Sequence, residues 1–422
     1  MLARVRSPRR LRGEVRLPGD KSISHRALML NAVASGRATV SGLSAGADVA
    51  ATASCLRALG VGIEGDSVAG HGFTGLRPPA AALDCANSGT TMRLLAGLLA
   101  GLPFEVELVG DPSLARRPME RVVEPLRRMG AHAATSPLRV GGGSETLRGI
   151  EHVSPVASAQ VKSALLMAGL QATGTTRVRE AARSRDHTER MLRAMGAAVR
   201  SQGLEVALDG PAAPLRPLDL QVPGDLSAAA FWLVAATLHP RARVKVVEVG
   251  VNPTRTAALE ALARLGGRVE RGREHLAGDE PVADLEAGTA AGLRPFEIGG
   301  AEVAGLIDEL PVLAVAAAVV PGISRVTGAA ELRVKESDRI ATMARGLRAM
   351  GAQVQELADG WQISGPARLE GARVDCAGDH RVAMALAVAG LLAAGETEIE
   401  GAESVDISYP GFWDQLERLC SP

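Results

Sequence analysis

The chain has 422 residues, 46% hydrophobic but only 2% aromatic, so a large core is within reach and must be filled by Ala, Leu, Val and Met. Its 47 basic and 47 acidic residues cancel, which argues against a nucleic-acid or membrane-surface partner, since both favour a basic excess. Cys55, Cys85, Cys376 and Cys420 lack any CxxC spacing, so neither a metal site nor a disulfide framework is indicated and a cytoplasmic location is expected; residues 1–12 lack the apolar run of a signal peptide, and the apolar stretches near 310–320 and 382–394 are too short to span a bilayer.

In chain order, Leu11-Arg-Gly-Glu-Val-Arg-Leu17 alternates like a strand and leads into Pro18-Gly-Asp-Lys21-Ser22-Ile-Ser24-His-Arg26, which opens an apolar helix. Ser22 or Ser24 is expected to cap that helix. Lys21 and Arg26 are unfavourable at a helix N-terminus unless an anion sits there, and free backbone N–H groups would help to hold one. Asn87-Ser-Gly89-Thr-Thr-Met-Arg93 is a second polar turn before an apolar helix, with Gly89 permitting close approach of a ligand. Arg116-Arg117 precede Pro118 in a third such loop. Ser158-Ala159-Gln160-Val-Lys162-Ser163 leads into another apolar helix, with Ser184-Arg-Asp-His187 later in the same unit; these hydroxyl and amide groups suit a hydroxylated ligand. Asp308-Glu309 stands before the most apolar helix. Arg333-Val-Lys335-Glu336-Ser-Asp338-Arg339 carries five charges in seven residues, and Gly378-Asp379-His380-Arg381 opens the last long apolar helix.

Of the 47 basic residues only Lys21, Lys162, Lys245 and Lys335 are Lys, and Lys21 and Lys335 fall in the densest of these clusters. In a chain that otherwise spells its positive charge as Arg, this suggests a need for a compact, proton-exchanging cation. If the helix starts converge, Lys21, Arg26, Arg117, Lys335, Arg339 and Arg381 make an anion trap suited to two anionic substrates, at least one of them phosphorylated. Asp308 and Glu336 are then the carboxylates available for proton transfer.

A pattern Leu-x-x-(Leu/Met)-Gly recurs at Leu56, Leu126, Leu192, Leu262 and Leu347, with starts 70, 66, 70 and 85 residues apart, and a sixth start fits at Leu416. Each copy reads as the last turn of a helix stopped by Gly in the left-handed conformation, followed by a strand. The chain therefore predicts an α/β protein of six units in two similar three-unit domains. The segment 11–17 is expected to complete the sixth unit, closing the chain on itself. Leu17-Pro-Gly-Asp20 and Val222-Pro-Gly-Asp225 read as crossovers, giving domains 1–19 plus 224–422 and 20–223. An open solenoid would favour shorter repeats and polar end caps.

With these motifs in this order, the chain resembles the 5-enolpyruvylshikimate-3-phosphate synthase family over nearly its whole length. The resemblance implies two domains, each of three βαβαββ units, in an inside-out α/β barrel arrangement. It implies transfer of the enolpyruvyl group of phosphoenolpyruvate to the 5-hydroxyl of shikimate 3-phosphate, with release of phosphate, through a tetrahedral adduct in the interdomain cleft. Positions matching the family's shikimate 3-phosphate site are Lys21, Ser22, Arg26, Ser158, Ala159, Gln160, Ser184, Asp308 and Lys335. Those matching its phosphoenolpyruvate site are Lys21, Gly89, Arg117, Gln160, Arg339 and Arg381. Asp308 matches the proposed base, and Glu336 and Lys21 match groups proposed to move protons at the vinyl carbon. Glu336 would have to be neutral beforehand, so a raised pKa is expected. No metal, cofactor, nucleic acid or membrane is implied, and a monomer is expected.

Two positions depart from the family pattern. Glu403 stands where some members carry Lys, and Ala159 replaces a Ser, leaving only backbone for a contact. Gly89 is retained, which in this family goes with sensitivity to glyphosate. The alternative is the sister transferase that acts on UDP-N-acetylglucosamine, but it typically carries a Cys in the loop matching 110–119, where this chain has none. An RNA 3′-phosphate cyclase would want a more basic surface, and a repeat scaffold has no use for the Lys21 and Lys335 clusters.

Overall fold

A computed structural model of the chain describes residues 1–135 and 137–421. The chain divides into two compact units. A terminal unit contains 1–18, 223–275 and 281–422, and a central unit contains 19–222 and 276–280.

The central unit holds three four-stranded sheets of one topology. In the third, Glu151–Ser154 lies parallel to Gly174–Glu180, which pairs antiparallel with Glu205–Gly210, which pairs antiparallel with Val199–Gln202. The sheet around Glu105–Val109 repeats this arrangement. In the sheet around Ser35–Ser41, the parallel edge is supplied by Leu220–Gln221, from the far end of the unit's sequence. Helices α1 (Lys21–Ala32), α2 (Ala47–Ala58), α3 (Gly89–Leu99), α4 (Ala159–Gly169) and α5 (His187–Ala194) belong to these repeats. Leu28, Leu30, Leu94, Leu98, Leu165 and Leu166 are all fully buried in one apolar core. Close helix contact needs Gly97: a Cβ there would sit 2.1 Å from the Ala164 carbonyl oxygen. That approach brings the polar first turns of α3 and α4 together.

The terminal unit repeats the scheme with α6 (Leu226–Leu238), α7 (Leu310–Val319), α8 (Arg339–Ala349) and α9 (His380–Gly390). Helices α6, α7 and α9 are apolar on nearly all sides and fill its core, as a helix must when it is covered all round. Most of the few aromatic rings gather here: Trp232 stacks on Phe412 at 4.9 Å and donates to the Tyr409 hydroxyl at 3.0 Å.

The repeated Gly is the helix stop predicted for it. Gly60, Gly130, Gly196, Gly266 and Gly351 have φ of 88°, 95°, 95°, 101° and 93°, conformations that a side chain would strain. The N-terminal strand is placed differently from the expectation. Leu11–Arg16 pairs in parallel with Ala242–Gly250 in the fourth sheet. The strand that completes the sixth sheet is Leu2–Arg6, antiparallel to Glu396–Glu400. Alternating burial fits either edge, so periodicity alone does not choose between them.

Candidate active site

Most of the polar clusters lie at helix starts, and five of these helices are capped by the side chain of the residue before them. Asp20 Oδ1 accepts from Ile23 N at 2.9 Å, so α1 is capped by Asp20 and not by Ser22 or Ser24. Ser24 Oγ instead donates to the Asp20 carbonyl and accepts from Ser44 N. Ser88 caps α3, Ser158 α4, Asp338 α8 and Asp379 α9.

In the central unit, Lys21 Nζ donates to Asp48 Oδ2 at 2.9 Å, and both side chains are largely buried. Arg26 is 2% exposed. It donates from Nε to Thr188 Oγ1 at 2.7 Å, from Nη1 to the Ser22 carbonyl at 2.8 Å and from Nη2 to Ser163 Oγ at 2.8 Å. These three acceptors are neutral. Burial pulls its pKa down to about 10, with Glu189 opposing and Arg185 adding to the effect. Arg185 donates to Ser22 Oγ at 3.1 Å.

Gln160 joins α4 to α3, donating to Thr90 Oγ1 at 2.9 Å and accepting from Arg93 Nη1 at 2.6 Å. Arg117 Nη2 donates to Asn87 Oδ1 at 2.6 Å, and Asn87 Nδ2 donates to Asp111 Oδ2 at 2.6 Å. Gly89 lies beneath both arginines: a Cβ there would be 3.0 Å from Arg93 Nη1 and 3.3 Å from Arg117 Nη1. Ala159 is the first residue of α4. The Ser184 hydroxyl donates to Glu180, whose carboxylate also takes Lys162 Nζ at 2.7 Å. Lys162 reaches Glu189 at 2.9 Å as well; burial opposes its charge, but the two carboxylates outweigh that and raise its pKa.

In the terminal unit, Arg339 is 2% exposed and faces three carboxylates. Nε is 2.8 Å from Asp379 Oδ2, Nη2 is 2.7 Å from Glu336 Oε2 and Nη1 is 3.4 Å from Asp308 Oδ1. Burial opposes the Arg339 charge, but Asp379, Glu336 and Asp308 outweigh it and hold its pKa above the usual guanidinium value. Lys335 Nζ lies 3.4 Å from Glu331 Oε1. Burial lowers its pKa, against the pull of Glu331 and Asp308. Arg381 is 3% exposed, and its buried Nε has no hydrogen-bond partner among the described residues.

The structure thus gathers Lys21, Ser22, Arg26, Gly89, Arg117, Gln160 and their neighbours in one unit, and Asp308, Lys335, Glu336, Arg339 and Arg381 in the other. Four members were missed by sequence reasoning. Arg93 and Arg185 lie inside quoted motifs and carry the charge that should have marked them. Asp379, also inside a motif, is at once a helix cap and an Arg339 partner. Asp48, on α2, has no local signal. Glu403 forms an exposed ion pair with the Met1 ammonium. The four cysteines are free thiols. No described helix is long and apolar enough to cross a membrane, and the described residues contain no cluster of metal-ligating side chains.

The model of the EPSP synthase (3-phosphoshikimate 1-carboxyvinyltransferase) family matches residues 5–416. The chain is 54% identical to the 3-phosphoshikimate 1-carboxyvinyltransferase of Gloeobacter violaceus and 51% identical to that of Synechococcus sp., in each case over 97% of both chains. Among solved structures, EPSP synthase from Acinetobacter baumannii superposes with a TM-score of 0.88 at 41% identity, covering 100% of this chain and 98% of that one. The enolpyruvyl transferase NikO from Streptomyces tendae shares the fold, with a TM-score of 0.80 at 19% identity and coverage of 99% of this chain and 97% of that one. The chain belongs to the EPSP synthase family, the 3-phosphoshikimate 1-carboxyvinyltransferases.

Proposed function

We propose that the two polar clusters are the working parts of an enolpyruvyl transfer from phosphoenolpyruvate to the 5-hydroxyl of shikimate 3-phosphate, with release of phosphate. The alternative acceptor, UDP-N-acetylglucosamine, is not favoured by the family match. The two compact units correspond to the expected domains 1–19 plus 224–422 and 20–223, except that 276–280 belongs to the central one, and the reaction draws on a cluster from each. Lys21, Ser22, Arg26, Ser158, Ala159, Gln160, Ser184, Asp308 and Lys335 hold shikimate 3-phosphate. Lys21, Gly89, Arg117, Gln160, Arg339 and Arg381 hold phosphoenolpyruvate.

The observation that carries this reading is Arg381. A buried guanidinium nitrogen without a partner is costly, and an anionic substrate would supply the missing acceptor. Arg381 follows Asp379, which binds Arg339, so two cations start from one helix cap.

The chemistry follows from charge. A proton added to the vinyl carbon of phosphoenolpyruvate leaves a cationic centre at the adjacent carbon. The 5-hydroxyl oxygen attacks that centre and gives its proton to Asp308. The tetrahedral adduct then expels phosphate and loses a proton from its methyl group, restoring the vinyl carbon. Glu336 and Lys21 move the protons at that carbon. Glu336 Oε2 lies 2.7 Å from Arg339 Nη2 in this structure, a pairing that favours the ionised carboxylate. A substrate carboxylate that takes Arg339 would release Glu336 to accept a proton. A monomer in a reducing cytoplasm completes the reading, the latter supported by four free thiols.

Phosphate release from phosphoenolpyruvate, measured in EDTA with and without shikimate 3-phosphate, tests the reading. Release only with both substrates supports it. Release with UDP-N-acetylglucosamine in place of shikimate 3-phosphate would overturn it.

A further inference from the structure

Helix α5 is held at its start by residues far away in the chain. His187, its first residue, has Nδ1 2.8 Å from Glu280 Oε1, 93 positions on, with side-chain exposures of 1% and 3%. Arg190 donates from Nη1 to the Asp279 carbonyl at 2.8 Å and from Nε to Asp186 Oδ1 at 3.0 Å. Asp279 and Glu280 belong to the tip 276–280 of the hairpin made by Val269–Ala277 and Glu280–Gly288, and that tip is part of the central unit.

This hairpin reaches past the inner strand of its sheet. Glu280–Gly288 pairs with Ala242–Gly250 only from Val282 onward, so Glu280 stands beyond the last residue paired to that strand. The outer strand Val269–Ala277 is exposed at seven of its nine positions, so its length buries little apolar surface. What the extension does deliver is a carboxylate 2% exposed, and a buried carboxylate needs a partner to be tolerated. His187 is one such partner.

Two substrate-binding groups depend on where α5 begins. Thr188, next to His187, accepts from Arg26 Nε and is bonded to Ser163 Oγ, which accepts from Arg26 Nη2. Arg185, two residues before His187, donates to Ser22 Oγ. Glu280 also supports the Arg26 charge.

We propose that Glu280 is a positioning residue for shikimate 3-phosphate: by holding His187 it fixes the start of α5, and through Thr188 and Arg185 it sets Arg26 and Ser22. The inference rests on the reading that Arg26 and Ser22 bind that substrate. Glu280 touches neither substrate and takes no part in proton transfer.

Steady-state kinetics with each substrate varied in turn is the test. Glu280→Ala raises the KM for shikimate 3-phosphate about tenfold, the size of one lost charge-assisted hydrogen bond, while the KM for phosphoenolpyruvate and kcat stay within about twofold. Glu280→Gln can still accept from His187 and recovers most of the loss. Should Glu280→Ala fail to fold, Arg190→Ala removes the other tie at a partly exposed position and shows a smaller rise, again confined to shikimate 3-phosphate. An unchanged KM for shikimate 3-phosphate in the folded variant, or an equal rise for both substrates, overturns the proposal. Arg26→Lys separates the two ideas. If it leaves that KM unchanged, the binding-site reading fails; if it raises it and Glu280→Ala does not, only the role of Glu280 fails.

Discussion

Arg339 Nη2 lies 2.7 Å from Glu336 Oε2, so the guanidinium assigned to phosphoenolpyruvate already holds the carboxylate assigned to its protonation. On the proposed assignments, substrate and Glu336 compete for one cation, and binding of the substrate anion would free the Glu336 carboxylate to take up a proton.

Replacing Glu336 by Gln keeps the shape, removes the competitor and removes the proton. Turnover of Glu336→Gln should fall about a hundredfold or more, the range of a lost general acid. Its KM for phosphoenolpyruvate should stay level or drop, because Arg339 then faces one carboxylate fewer. Steady-state rates give both numbers. Wild-type kcat in this variant would remove Glu336 from the chemistry.

Gly89→Ala tests the space beneath the two arginines of the central unit. The added Cβ meets Arg93 Nη1 at 3.0 Å and Arg117 Nη1 at 3.3 Å, both the ends of flexible side chains, so the fold should tolerate it. The guanidinium of Arg117 must still give way by a few tenths of an ångström, and a substrate anion bound to it feels the shift. The KM for phosphoenolpyruvate should rise about tenfold with kcat little changed, the signature of lost ground-state binding. Inhibition of the parent enzyme by glyphosate should weaken in the variant. An unaltered KM would mean that Arg117 does not contact this substrate.

The repeat was legible because each helix stop needs a residue that tolerates positive φ, and Gly60, Gly130, Gly196, Gly266 and Gly351 all adopt it. The cationic helix starts were legible because Lys21 and Arg339 stand in short dense motifs. What escaped is pairing across long stretches of chain. Nothing near Asp48 announces Lys21, and nothing near Glu280 announces His187. Alternation marked Leu11–Arg16 as a strand, but a period of two carries no information about the edge it joins. The cap of α1 was misassigned for a related reason: Asp20, Ser22 and Ser24 all suit a cap, and backbone geometry chooses Asp20.

Lys335 should give substrate binding a pH dependence. Burial lowers its pKa below the ordinary ammonium value, with Glu331 and Asp308 opposing. Raising pH through that lowered value removes the positive charge, so the KM for shikimate 3-phosphate should climb at lower pH than a free lysine would dictate. Lys335→Arg keeps its charge throughout and should flatten the climb below the ordinary lysine value, even if it binds less well overall. Parallel profiles for the two proteins would show that another group titrates.

His25 should give stability a pH dependence of the opposite sense. Its Nδ1 is 2.7 Å from Thr52 Oγ1, which is 2.7 Å from Thr91 Oγ1, so the ring helps to join α1, α2 and α3. Its Nε2 is buried and has no hydrogen-bond partner among the described residues. Burial, reinforced by Lys21 and Arg26, holds the pKa well below the ordinary 6.5. Between that lowered value and 6.5 the unfolded chain binds a proton that the folded chain does not. Stability must therefore rise with pH across this window and be lost as pH falls through it, by at most about 1.4 kcal/mol per pH unit. Differential scanning calorimetry of wild type and His25→Gln at about pH 5 and 7 isolates the effect: the variant is less stable at neutral pH but loses less on acidification. Equal losses in the two proteins would mean that His25 is already charged in the folded state, or that it titrates alike folded and unfolded.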